Sequence, residues 1–161
     1  MANFFQDVIK KDQRFNSTKV IADLNLLEPV TRQLVQNIIT DAAAHGVTYM
    51  VFETFRSRAR QSALFDQHAT QLKNVGVHNY GLACDIVKNV GGEPSWKGDF
   101  SLLGQLAHQH GLIWGGDWGN PAIKHSFIDD GHVQRCTIGR QASLFGGTWY
   151  PDANYDPYKN G

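Results

Sequence analysis

The sequence predicts an α+β fold, a single compact domain in which helices pack on a small, mainly antiparallel sheet. Three observations lead there. The chain has 161 residues, the size of one domain with little room for a second module. Apolar residues make up 42% and charged residues 19%, enough to bury one core and unlike a disordered chain. Helical periodicity is concentrated early, whereas the later chain offers short β-prone runs punctuated by Gly and Pro.

The first strong element begins at Pro29, a residue suited to a first helical turn. Val30, Leu34, Val35, Ile38, Ile39 and Ala42 then recur at helical spacing until Gly46 supplies a stop. Val47 to Thr54 is rich in β-branched and aromatic residues and reads as a buried strand, after which Ser57 caps a helix carrying Ala59, Ala63 and Leu64. Lys73 to Gly81 has no periodicity, and Leu82 to Val90 reads as a strand ending at Gly91-Gly92 and Pro94. Asp99 caps a helix through Leu102, Leu103, Leu106 and Ala107, stopped by Gly111. Short strands are expected around Leu112 to Trp114, Ser126 to Ile128 and His132 to Thr137. Residues 1–145 form the domain in this reading. Residues 146–161, aromatic and rich in Asn, Asp, Gly and Pro, form a tail packed on it or trailing from it.

Fifteen basic residues balance fifteen acidic ones, which removes the overall positive field that attracts nucleic acid. No apolar run approaches the roughly 20 residues that span a bilayer, and Met1 to Asp7 lacks the basic and apolar regions of a signal peptide. The expected product is a monomer made in the cytoplasm without a signal peptide, with no nucleic-acid partner and no stable membrane association. Cys84 and Cys136 match neither a zinc knuckle nor a redox pair. By the period-two rule Cys136 shares the face of His132 while Cys84 faces away from Asp85, so the two are expected not to pair.

The histidines are sorted by neighbourhood. His45 lies at a helix end, His68 on a predicted helix face and His125 in a polar loop, all with ordinary roles. His108 and His110, two apart on a helix, point about 200° apart and cannot share an ion. His78 differs, because it enters a bend before Gly81 and is followed on a β-prone segment by Asp85, with Ala83 leaving space on the same strand face. That segment suits an ion, and it suits an exposed histidine followed by a turn aspartate equally well. Asp129-Asp130-Gly131-His132 adds a histidine at the entrance to a β-prone run, with a carboxylate close enough to serve as a general base. Two histidines and one aspartate would leave a tetrahedral zinc one open position, the catalytic arrangement.

Together these residues resemble the zinc peptidases of the D-alanyl-D-alanine carboxypeptidase and L-alanyl-D-glutamate endopeptidase group. The run from His78 to Asp85 is similar to that family's HxxGxAxD element, Asp129-x-x-His132 to its acid-x-x-His element, and Arg56-Ser57 with Arg60-Gln61 to its RSxxRQ element. The likeness runs from about Leu24 to about Gln134, in the expected order. It implies a zinc site at the sheet with His78, Asp85 and His132 as ligands, Asp129 as catalytic base and Arg56 steadying the developing oxyanion. Read from residue type alone, Arg56 is a surface salt-bridge residue. Two positions depart from the family pattern: Gly76 stands where Ser is common, and Val133 where an aromatic is common. The implied activity is hydrolysis of the L-alanyl-D-glutamate bond of peptidoglycan stem peptides by a phage or prophage endolysin that reaches the wall through a membrane lesion. A D-alanyl-D-alanine carboxypeptidase and a non-catalytic, zinc-stabilised wall-binding domain are the alternatives.

Overall fold

Glu28 is buried beneath the start of helix α1 (Pro29–Ala44), where its carboxylate accepts the backbone N–H groups of Val30 and Thr31 at 3.1 and 2.7 Å. The structure is a computed structural model and describes residues 3–70, 72, 75–119, 128–152 and 155–157. The buried stripe of α1 is Thr31, Val35, Ile38 and Ala42, so Val30 points outward, contrary to the expected apolar face. Thr31 can take the inner position because its hydroxyl donates to Glu28 at 2.8 Å.

Strand β1 (Tyr49–Glu53) leads into helix α2 (Arg58–Asp66), capped by Ser57 Oγ, which accepts Arg60 N–H at 3.0 Å. The residue that α2 buries is Gln61, whereas Ala59 is exposed. His68 is not on a helix face: α2 has already ended, and His68 sits in the left-handed region at φ 60°. A 3-10 turn over Val77–Tyr80 delivers the chain to strand β2 (Ala83–Val90).

Gly91-Gly92 does not end the sheet. With φ of 61° and 90° the two glycines form the tight turn of a hairpin, and strand β3 (Glu93–Ser95) pairs back onto β2. Pro94 is tolerated because β3 is a short edge strand. Helix α3 (Ser101–Gln109) follows, its first N–H accepted by Asp99 at 2.8 Å, then strands β4 (Ile113–Trp114) and β5 (His132–Gln134). Ser126 and Phe127 of the strand expected over Ser126 to Ile128, and His125, lie outside the described residues; Ile128 is in no strand. β5 stops at Gln134, and Thr137 instead precedes helix α4 (Ile138–Phe145), which the short apolar spacing there did not announce.

All pairings are antiparallel, in the order β1-β2-β5-β4, with β3 on β2. Asp85 is the crossing point: it pairs with Glu53 on one side and His132 on the other. The main core fills the side of the sheet covered by α1 and α3, where Val35, Ile38, Leu103 and Leu106 meet Cys84, Ile86 and Val133. Each such side chain contributes about 1.5–3 kcal/mol by leaving water. A second cluster joins Val77, Tyr80, Leu82 and Ala83 to Cys136, Leu144 of α4 and Tyr155, whose hydroxyl donates to the Tyr80 carbonyl. Cys84 and Cys136 are both free and lie in different clusters. No helix among the described residues is long and apolar enough to cross a membrane.

Candidate active site

The antiparallel register of β2 and β5 sets Asp85 directly opposite His132, and the turn over Val77–Tyr80 brings His78 over the same spot. His78 Nε2 lies 3.2 Å and His132 Nδ1 lies 3.0 Å from Asp85 Oδ1, and one ligand atom from each of the three residues falls within 4.8 Å of the others. The far nitrogens are occupied. His78 Nδ1 donates to the Thr54 carbonyl at 2.7 Å, and His132 Nε2 donates to Gln134 Oε1 at 2.8 Å. Each of those acceptors fixes a tautomer, leaving one lone pair on each imidazole turned toward the Asp85 carboxylate.

Those three atoms converge on one point, which is an arrangement a cation satisfies. Burial pushes the Asp85 carboxyl up, but the charges and hydrogen bonds of His78 and His132 overcome it and hold it well below the usual carboxylate range. Burial would lower His132, yet its hydrogen bond and charge contact with Asp85 raise it. The pocket therefore favours positive charge beside an anionic Asp85. Two imidazoles and one carboxylate are a donor set suited to zinc, so these residues fit the ion.

Asp129 lies at the same cavity, held by its backbone: its N–H donates to the Gly115 carbonyl at 3.1 Å, and its own carbonyl accepts His132 N–H at 3.2 Å. Gly115 is needed for this approach, since a Cβ there would stand 2.1 Å from the Asp129 carbonyl oxygen. Burial pushes the Asp129 carboxyl up and the neighbouring Asp85 charge adds to it, against the pull of His132, His78 and Arg56. Asp130 does not share the cavity lining; its carbonyl accepts the Trp114 indole N–H at 2.7 Å.

Arg56 is no surface salt-bridge residue. It is 8% exposed and bound on three sides, to Glu53 at 2.7 Å, Gln61 at 3.0 Å and Asp85 Oδ2 at 3.3 Å. Glu53, itself buried, also receives Arg60. Gly76 has a packing reason: a Cβ there would come 3.0 Å from Gln61 Oε1, so the missing side chain makes room for the glutamine that holds Arg56. The other histidines are used separately. His108 bonds Asp117 at 2.6 Å and His110 bonds Asp41 at 2.7 Å, as their opposed helical directions require.

A cavity of about 730 Å³ opens over this cluster, reaching Phe52 and Trp96 as well as Gln61, Leu72 and Gln141. Gln134 and Glu53 are the supporting residues that reasoning from motifs passed over, and Gln61, part of the RSxxRQ element, was given no role of its own. Of these, Gln134 carries a readable signal, because it stands two residues from His132 on the same strand face.

Residues 70–135 match a family profile described as D-alanyl-D-alanine carboxypeptidase, and all of His78, Asp85, Asp129 and His132 fall inside that segment. The chain is 26% identical over 133 residues to the L-alanyl-D-glutamate peptidase of Listeria phage A118, covering 80% of this chain and 45% of that protein. It is 31% identical over 111 residues to the peptidoglycan L-alanyl-D-glutamate endopeptidase CwlK of Bacillus subtilis (strain 168), covering 57% of this chain and 66% of that protein. The chain thus spans less than half of the phage relative and just under two thirds of the bacterial one. Among solved structures, the L-Ala D-Glu endopeptidase ChiX of Serratia marcescens shares the fold at a TM-score of 0.54 and 24% identity, with 73% of this chain and 90% of that one covered. Arg56 lies upstream of the matched segment, and its part in the site rests on the geometry above.

Proposed function

We propose that the chain is a zinc-dependent endopeptidase that hydrolyses the L-alanyl-D-glutamate bond of peptidoglycan stem peptides, borne by a phage or prophage and acting on the cell wall. The observation that carries this reading is the convergence of His78, Asp85 and His132 on one point, with Asp129 beside them in an open cavity. The names of the two curated relatives supply the substrate.

His78 Nε2, His132 Nδ1 and one oxygen of Asp85 would hold the ion. Zinc, when bound, supplies a Lewis acid that polarises a carbonyl and makes water more acidic. Asp129 takes a proton from the attacking water and delivers it to the leaving amine nitrogen, a role helped by a carboxyl that burial has brought closer to neutral pH. Arg56 fixes the second oxygen of Asp85 and presents a cationic edge to the cavity, where it offsets negative charge growing on the scissile carbonyl oxygen. Thr54 and Gln134 keep both imidazoles oriented while this happens.

Removal of a terminal D-alanine is the second reading, favoured by the description of the matching family profile. Incubation of the purified protein with muropeptides, with and without a chelator, followed by mass spectrometry decides between them. A new D-glutamyl amino terminus that disappears with chelator is the expected result. Release of free D-alanine would instead establish the carboxypeptidase, and no product at all the non-catalytic binding domain.

A further inference from the structure

The rim of the cavity holds an aromatic pair that the reaction does not use. Trp96 follows β3 directly and is 53% exposed, and Phe52 meets it edge-on with ring centroids 4.7 Å apart and planes at 81°. Phe52 thus touches the indole at a steep angle, and about half of Trp96 remains open to solvent. The backbone around Trp96 is held: Ser95 pairs with Lys88 across the sheet, and the Lys97 carbonyl accepts the Lys88 ammonium at 2.8 Å. A large indole is thus kept exposed on a fixed scaffold, which marks a contact surface better than a scattered apolar residue does.

The sheet places it near the metal cluster. Trp96 follows Ser95, which lies opposite Lys88 three residues from Asp85 along β2, and Trp96 and Asp85 line the same cavity. Another part of the lining is different in chemistry, where Arg56, Gln61 and Thr70 are joined by hydrogen bonds. A cationic and amide-lined wall suits the acidic D-glutamyl side of the substrate, and a neutral aromatic shelf suits what precedes the scissile bond. In a peptidoglycan stem the L-alanine nitrogen is acylated by the lactyl group of a wall sugar. One residue and one lactyl unit span about 7 Å when extended.

Resting on the reading above, we propose that Trp96 and Phe52 form a sugar subsite that stacks against the apolar face of the glycan pyranose ring carrying the stem peptide. The C–H bonds of that ring face meet the negative face of the indole, and the ring's hydroxyl groups remain in water. Trp96 is accordingly a specificity-determining residue: it makes the protein a reader of glycan-linked stems in preference to free peptides.

The test compares kcat/KM on a disaccharide-linked stem peptide and on the free peptide of the same sequence, for wild type, Trp96→Phe and Trp96→Ala. Wild type should prefer the glycan-linked form about ten-fold, Trp96→Ala should lose that ratio, and Trp96→Phe should keep part of it. A ratio that survives in Trp96→Ala, or an equal decline on both substrates, overturns the subsite. If wild type cuts neither substrate at this bond, the enzymatic reading fails separately, and the subsite is then decided by nuclear magnetic resonance. The probe is the peptide-free disaccharide N-acetylglucosaminyl-N-acetylmuramic acid. A shift of the Trp96 indole N–H resonance, assigned by its loss in Trp96→Phe, supports the subsite, and an unmoved resonance at millimolar disaccharide overturns it.

Discussion

His132 and Gln134, two residues apart on the same strand, are joined by a 2.8 Å hydrogen bond from imidazole Nε2 to the amide oxygen. The bond commits the proton to Nε2 and turns the Nδ1 lone pair toward Asp85, 3.0 Å away. Gln134 is in turn held by donating to the Cys136 carbonyl and to Gln141 at 3.0 Å. Replacing Gln134 by Leu keeps the three ligands and frees the imidazole to rotate. Zinc affinity should fall about 10- to 100-fold, measured by competition with a chromogenic chelator. Wild-type affinity in Gln134→Leu would show that packing alone orients His132.

Replacement of a ligand itself is more severe. His78→Ala, Asp85→Ala and His132→Ala should each lose stoichiometric zinc on metal analysis, since two protein ligands hold the ion far more weakly than three. Full zinc content in His132→Ala would displace the centre from this cluster.

Asp129→Asn should retain zinc and fold while losing about 10²- to 10⁴-fold in turnover, the range typical of general-base catalysis. Asp130→Asn should be far milder, because what Asp130 contributes to the site is a backbone carbonyl that accepts from Trp114. Turnover of the two variants on purified peptidoglycan makes the comparison. The reverse ranking would move the base by one residue.

Arg56→Lys should reduce both turnover and melting temperature. Lysine keeps a charge but cannot reach Glu53, Gln61 and Asp85 together from one planar group. Leaving the buried Glu53 with Arg60 as its remaining ion pair should cost on the order of 2–3 kcal/mol. Thermal unfolding beside kinetics reads both effects, and an unchanged melting temperature would deny Arg56 its structural share.

Burial pushes the Cys136 thiol up to about 11 from 9.0. A raised folded-state value means that the native protein keeps its proton where the unfolded chain loses it, so this contribution to stability is complete below pH 9 and is lost as pH rises to about 11. Wild type should therefore lose more stability than Cys136→Ala over that interval in urea titrations. Neither cysteine of the native protein should react with a thiol reagent at pH 8, because Cys84 is also buried and shifted upward. Rapid labelling of either would contradict the packing of both clusters.

Local chemistry was enough to read α1, α3 and β2, because Pro29, Asp99 and the stop at Gly46 act within a few residues of themselves. The spacing His78 to Asp85 and Asp129 to His132 was legible for the same reason: a turn and a strand set which way neighbouring side chains point. What no local rule contains is the pairing of β2 with β5, which sets Asp85 opposite His132 across 47 positions of chain. The end of β2 at Gly91-Gly92 was legible, but β3 beyond it was not, because Pro94 is forbidden in a central strand and permitted at an edge, and only the assembled sheet has edges. Arg56 shows the same division. Its place between strand and helix follows from sequence, while its burial among Glu53, Gln61 and Asp85 arises from three segments that meet only after folding. Hydrogen bonds and charge pairs act over a few ångströms of space whatever the distance along the chain, so they become readable once tertiary contacts have brought their partners together.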